Sequence, residues 1–154
     1  SALAGTTVDC LLRGTFVGHP MHPIMAYSSV GLWTSAVFLD VTGGDSAAAR
    51  RLLGAGLVTA PTALVTGWAT WSTLSAEQRR VGLIHASTNA VALALFTASY
   101  RRRAKAADAS PPDTTSKALA LAGFAVAGLG GALGGHLGYN MGAGVAARAL
   151  PAGV

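Results

Sequence analysis

The chain has 154 residues, of which 51% are hydrophobic and 11% are charged, with 11 basic residues against 6 acidic ones. A typical soluble domain has about 25% charged residues, so this composition argues against a soluble enzyme, and the single cysteine, Cys10, excludes an internal disulfide scaffold. The basic residues lie in short clusters between apolar runs, which argues against nucleic acid as a partner. These numbers predict a small polytopic membrane protein embedded in a lipid bilayer.

Four stretches of the chain lack formal charges over most of their length, and a membrane-spanning helix needs about 20 mostly apolar residues. We predict spans at about 22–41, 52–73, 82–100 and 118–138. They form a membrane domain over residues 22–145, preceded by an interfacial segment at 1–21 and followed by a tail at 146–154. Short loops place neighbouring helices antiparallel. The predicted fold is therefore all-α: an antiparallel four-helix transmembrane bundle.

The connections between the spans support this division and give an orientation. The first loop is rich in glycine and ends at Asp45 and Ser46, either of which suits the N-cap of the second helix. The first and third loops carry seven basic residues: Arg50, Arg51, Arg101, Arg102, Arg103, Lys105 and Lys117. The opposite side carries four, Arg13, Arg79, Arg80 and Arg148. Because cytoplasmic loops are enriched in Lys and Arg, both termini are expected on the outer side.

All four histidines of the chain map to that same outer face. His19 and His22 lie where the chain begins the first span, His85 lies about one turn into the third span, and His136 lies near the end of the fourth. Ionisable residues in a span are costly and are usually paired, ligated or functional, and imidazole is the commonest metal ligand. The four histidines are therefore candidate metal ligands.

Other groups near the histidines complete the candidate site. Asn89 follows His85 by one helical turn, and Tyr139 adds a polar group near the end of the fourth span. Gly135, in a glycine-rich stretch before His136, favours either close helix packing or clearance for a flat cofactor. No CxxC or HExxH motif is present, and the charge-free stretches offer no thiolate or carboxylate. Nitrogen ligands in an apolar surround suit a bis-histidine haem better than a structural zinc site.

The first choice of axial ligands is His22 and His85, since both begin spans at similar depth. His136 is an alternative to either of them, or serves a second haem with His19. Pro20 bends the segment before the first span, so His19 and His22 are expected to point in different directions.

Several motifs give the chain a family resemblance. The GHPxHP run from Gly18 to Pro23, the HxxxN pattern of His85 and Asn89, and the ending GGHL…GxGV resemble the bacterial membrane-protein family called domain of unknown function 2231. The resemblance reaches from Gly18 to Val145, which is most of the chain. It implies a four-span protein of the bacterial inner (cytoplasmic) membrane. Some members of the family are fused to a Rieske iron–sulfur domain, which implies electron transfer.

The expected function is a haem-binding electron-transfer subunit, similar to a b-type cytochrome, with one or two haem b groups near the outer face. A Rieske cluster needs two cysteines and two histidines, so with Cys10 alone any Rieske-type partner is expected to be a separate polypeptide or part of a larger membrane complex. Two alternatives stay open: copper or zinc at the same histidines, and an accessory or assembly subunit without a redox role. Independent catalysis is not expected, because no nucleophile–base pair or phosphate-binding loop emerges.

Overall fold

The helices begin and end at polar or glycine-rich breaks in the sequence. A computed structural model of the chain describes residues 6–105 and 112–144, in which every regular element is helical. The elements are α1 (Thr7–Arg13), a 3-10 turn (Thr15–Val17), α2 (Met21–Thr42), α3 (Ser46–Trp71), α4 (Ala76–Lys105), α5 (Thr114–Gly135) and a π-helical turn (His136–Asn140). The predicted all-α class is confirmed, whereas the predicted tail at 146–154 lies outside the described residues.

Four of these helices, α2 to α5, are long and apolar enough to cross a membrane. Several helix ends lie beyond the predicted span limits, since α3 begins at Ser46 and α4 extends from Ala76 to Lys105, whereas α3 ends at Trp71 and α5 at Gly135, two and three residues before theirs. The predicted limits stopped at the nearest charges, but a helix continues through charged residues once it leaves the apolar layer. Of the two residues expected to cap the second span, Asp45 is the N-cap of α3. Its carboxylate accepts hydrogen bonds from the backbone N–H groups of Ala47 at 2.7 Å and Ala48 at 3.1 Å.

The four long helices form a ring in chain order. Helix α2 packs along α3 and α4 packs along α5, while smaller contacts between α3 and α4 and between α2 and α5 join the two hairpins. Helices α2 and α4 are therefore diagonally opposite, and both start at the same end of the bundle. Small buried residues let the backbones approach closely: Ala36, Ala49, Ala60, Ala92, Ala120 and Ala127.

Two aromatic rings fill the middle of the bundle between α2 and α4. Trp33 and Phe96 stack with ring centroids 4.4 Å apart and planes at 19°. The indole also lies directly against Gly56 of α3, where a Cβ atom would clash with it. Only 7% of Trp33 is exposed, so this tryptophan is a core residue and not a membrane-interface anchor. Trp68, which is 78% exposed, is placed as an anchor would be.

A buried ion pair lies at the end of the bundle where α2 and α4 finish. Arg103 donates from Nη1 to Asp40 Oδ1 at 2.8 Å and from Nη2 to Asp40 Oδ2 at 2.5 Å, and the two side chains are 3% and 5% exposed. Arg103 also donates to Ser99 Oγ and to the Ser116 carbonyl. The sequence predicts Arg103 in the third loop. No local pattern indicates that a carboxylate from another helix reaches this arginine. Two ionised groups are tolerated at this depth because each satisfies the other.

Candidate functional site

Two of the four histidines meet at the opposite end of the bundle, between the diagonal helices. His22 lies in the first turn of α2, which starts after Pro20. Pro23 lies in the same turn, where a proline is tolerated because the backbone N–H groups of a first turn have no helical acceptor. His85 lies in the third turn of α4. The two ring centroids are 6.0 Å apart and the ring planes make an angle of 82°. We call His22 and His85 the histidine pair.

Each ring of the histidine pair is held by a backbone carbonyl of the next helix in the chain. His22 Nδ1–H donates to the Ala63 carbonyl of α3 at 2.8 Å, and His85 Nδ1–H donates to the Gly130 carbonyl of α5 at 2.8 Å. A proton on Nδ1 leaves Nε2 as the unprotonated nitrogen in the neutral ring. Histidines that ligate metals almost always have their other nitrogen bonded in this way, since the bond fixes the tautomer and the ring orientation.

Two glycines let these rings lie against the helix backbone. A Cβ atom added to Gly67 of α3 would be 2.9 Å from His22 Nδ1, and one added to Gly134 of α5 would be 2.9 Å from His85 Cε1. Any side chain at either position would push the imidazole away from the carbonyl that holds it. Sequence reasoning missed Gly67 and the Ala63 carbonyl, because a glycine or an alanine in an apolar span carries no signal of its neighbour.

Asn89 lies beside His85, as the HxxxN spacing predicts for one helical turn. Its Nδ2 donates to the His85 carbonyl at 2.9 Å and lies 3.4 Å from His85 Nε2. The amide also occupies the space over Gly130, where a Cβ atom would be 2.5 Å from Asn89 Oδ1. Gly130 therefore serves both residues: it leaves room for the amide, and its carbonyl accepts the bond from His85.

The remaining candidate residues do not join the histidine pair. His19 is exposed and donates from Nδ1 to the Val17 carbonyl at 3.2 Å, and His136 is exposed and accepts at Nδ1 from Asn140 Nδ2 at 3.1 Å. Tyr139 is 86% exposed. A Cβ atom on Gly135 would meet only Tyr139, at 4.0 Å, so this glycine does not border the pair.

The donor set limits what the site is able to hold. The described residues contain no group of three or more His, Cys, Asp or Glu side chains arranged for a metal ion. A structural zinc site normally takes four protein ligands, whereas a bis-histidine haem takes two because the macrocycle supplies the others. With metal–nitrogen bonds of about 2.0–2.1 Å, two imidazoles on opposite sides of one ion have centroids roughly 6 Å apart. The observed 6.0 Å separation fits that arrangement.

The two histidines belong to different hairpins of the bundle. Contacts between the hairpins are less extensive than those within them. A group held by both rings would therefore lie between the hairpins. Two imidazole donors are the set that a bis-histidine haem takes.

Comparison with known proteins adds a family but no characterised relative. A family model described as "Predicted membrane protein (DUF2231)" matches residues 18–147, a range that includes all four histidines. No curated protein and no solved structure matches the chain.

Proposed function

Since the chain belongs to the DUF2231 family of predicted membrane proteins, we propose that it is a membrane electron-transfer subunit similar to a b-type cytochrome, in which His22 and His85 would hold a haem b. The observation that carries the proposal is the meeting of these two imidazoles at 6.0 Å, each with Nδ1 bonded to a carbonyl. When bound, the haem supplies an iron that accepts and releases one electron.

The chain's own groups have three tasks in this function. The carbonyls of Ala63 and Gly130 hold the rings with the proton on Nδ1, so that Nε2 is the nitrogen that would bind the iron. The apolar helices around the rings exclude water, and low polarity around a haem is one of the means by which a protein tunes the iron's reduction potential. The Asn89 amide beside His85 adds a dipole on one side only.

We propose further that the histidine pair faces the outer side of a bacterial inner membrane. Arg101, Arg102, Arg103 and Lys105 lie at the opposite end of α4, and positively charged helix ends stay in the cytoplasm. A haem near the outer face exchanges electrons with a protein on that side, such as a separate Rieske-type iron–sulfur protein or a subunit of a larger membrane complex.

A copper or zinc ion at the same histidine pair is the second candidate, favoured by the same ring separation, which suits two imidazoles sharing one bare ion. The haem has the stronger support, because a bare ion needs further ligands and the described residues offer no third side chain of the usual types. If the protein binds neither haem nor a metal ion, the proposed role is that of an accessory subunit without redox function.

The test is purification in mild detergent from cells supplied with a haem precursor, followed by an optical spectrum and quantification of iron, copper and zinc. The expected result is a Soret band that shifts on reduction and that disappears in His22→Ala and in His85→Ala. His19→Ala and His136→Ala are matched controls, since both histidines are exposed and both variants should keep the band.

Three other outcomes would contradict this proposal in different ways. A colourless protein that binds copper or zinc only when both His22 and His85 are present would establish the second candidate. A protein that binds neither haem nor either metal after titration with all three would point to the accessory role. Loss of the band in His19→Ala or His136→Ala, with no loss in the paired variants, would show that the ligands are different residues.

A further inference from the structure

The two hairpins of the bundle repeat the same arrangement of buried residues. Four of the five buried residues in each of α3 and α5 correspond: Ala49, Leu53, Gly56 and Ala60 in α3, and Ser116, Ala120, Gly123 and Ala127 in α5. Every member of the second set follows its partner in the first by 67 residues. The fifth buried residues, Thr66 and Gly130, are not equivalent to each other. The glycines that contact the histidines, Gly67 and Gly134, have the same separation. Helices α3 and α5 are therefore structural equivalents.

Helices α2 and α4 repeat in the same sense, with a separation of 63 residues. His22 corresponds to His85, and Trp33 corresponds to Phe96. The contacts repeat as well as the positions. The aromatic ring of each hairpin lies on a glycine of its own second helix, Gly56 or Gly123. The imidazole of each hairpin bonds to a carbonyl of that helix, and the two carbonyls, at residues 63 and 130, are again 67 residues apart.

Three side chains contact their own counterparts in the other hairpin. His22 meets His85, Trp33 stacks on Phe96, and Asp40 pairs with Arg103 across an interval of 63 residues. A residue that touches its own equivalent lies on the two-fold axis that relates the two copies. At a rise of about 1.5 Å per residue, the histidine and ion pairs are roughly 27 Å apart along the helices. The axis therefore runs the length of the bundle, along the membrane normal, as in transporters built from parallel repeats.

From this geometry we propose that the histidine pair is a two-fold site, built from one equivalent half-site per hairpin, which takes one haem or one ion per chain. This proposal rests on the function proposed above and adds the stoichiometry and the positioning residues. A haem or ion on the two-fold axis is bound by both hairpins at once. The symmetry therefore creates one such binding site in each chain, not two. Gly67 and Gly134 are paired positioning residues, because each lets one imidazole reach its carbonyl.

The repeat also separates the histidine pair from the other two histidines. The position equivalent to His19 is Gly82, and the position equivalent to His136 is Ala69. Neither His19 nor His136 therefore has an equivalent histidine in the other hairpin. The symmetry gives no support to a second haem between these two residues. Asn89 corresponds to Ala26. The amide therefore makes the surroundings of His85 differ from those of His22, although the two ligands come from equivalent positions.

The first experiment measures stoichiometry and the effect of the two glycines on affinity. One haem per chain is expected after titration to saturation. Gly67→Ala and Gly134→Ala are each expected to weaken binding by a similar factor, on the order of 10–100-fold, as is usual for the groups that support metal ligands. Gly131→Ala is the matched control, since no atom lies within 4 Å of a Cβ atom there. Two haems per chain, or a loss in only one of the two glycine variants, would overturn the two-fold site.

The second experiment needs no bound group and therefore separates this inference from the proposed function. Nitrogen-15 NMR of histidine-labelled protein without haem should show Nδ1 protonation at His22 and at His85. His19 should show it too, because its Nδ1–H donates to the Val17 carbonyl, and its signal is assigned with the His19→Ala variant. Gly67→Ala should change only the His22 signal and Gly134→Ala only the His85 signal. Loss of Nδ1 protonation at either His22 or His85 would refute the equivalence. Nδ1 protonation of both rings in a protein that binds neither haem nor metal would support the equivalence and reject the proposed function.

Discussion

Replacing Asp40 with alanine should be among the most damaging single changes to the stability of this bundle. In the folded protein the carboxylate accepts two hydrogen bonds from Arg103, and the two side chains are only 5% and 3% exposed. The Asp40→Ala variant leaves the guanidinium with Ser99 Oγ and the Ser116 carbonyl as its acceptors but with no counter-ion. Removing one partner of a buried ion pair costs about 3–5 kcal/mol, because the remaining charge is uncompensated.

The measurement is the free energy of unfolding in mixed micelles, obtained by titration with a denaturing detergent. Arg102→Ala is a matched control, because the neighbouring arginine forms a 3.3 Å ion pair whose members are 50% and 51% exposed, and such pairs contribute about 1 kcal/mol or less. The double variant Asp40→Ala/Arg103→Ala should be more stable than Asp40→Ala alone, since it leaves no buried charge. If Asp40→Ala costs no more than Arg102→Ala, the reasoning about the buried pair is wrong.

Three further predictions test the packing, the orientation and the pH dependence. Gly56→Val should destabilise the bundle by about 1–3 kcal/mol, because the new side chain overlaps the Trp33 ring; Gly128→Val, which no neighbouring atom approaches within 4 Å, should cost less in the same titration. A membrane-impermeant maleimide should label the exposed Cys10 in intact cells; labelling only after permeabilisation would reverse the proposed orientation. Hydrogen bonds from the Ser116 backbone and side chain lower the pKa of Asp113 from 3.8 to about 2. The stability that this carboxylate contributes is complete above about pH 4 and is lost as the pH falls towards 2. The melting temperature of the Asp113→Ala variant should therefore change less with pH in that range than the melting temperature of the unmodified protein.

The site was predictable in part from local spacing. The sequence singled out His22 and His85 as the first pair, and it placed Asn89 one turn from His85, because a helix brings residues four apart onto one face. It also grouped His19 and His136 with them, because topology fixes only the end of the bundle at which a residue lies. In the folded chain those two side chains are exposed. Which residues at one end face the axis depends on how each helix is rotated, and the neighbouring helices set that rotation.

The sequence by itself determined the class of the molecule and the number of its membrane helices. A chain with 11% charged residues, grouped between long apolar runs, has to satisfy its backbone inside the bilayer, and helices do this within each span. The tertiary structure shows three contacts along the axis: the histidine pair, which the sequence had only proposed, the Trp33–Phe96 stack and the buried Asp40–Arg103 pair. Each of them joins residues 63 positions apart, and no local pattern reports a contact over that distance. The repeat of the two hairpins became visible only when their buried faces were compared, because equivalent positions share depth and burial more often than residue type.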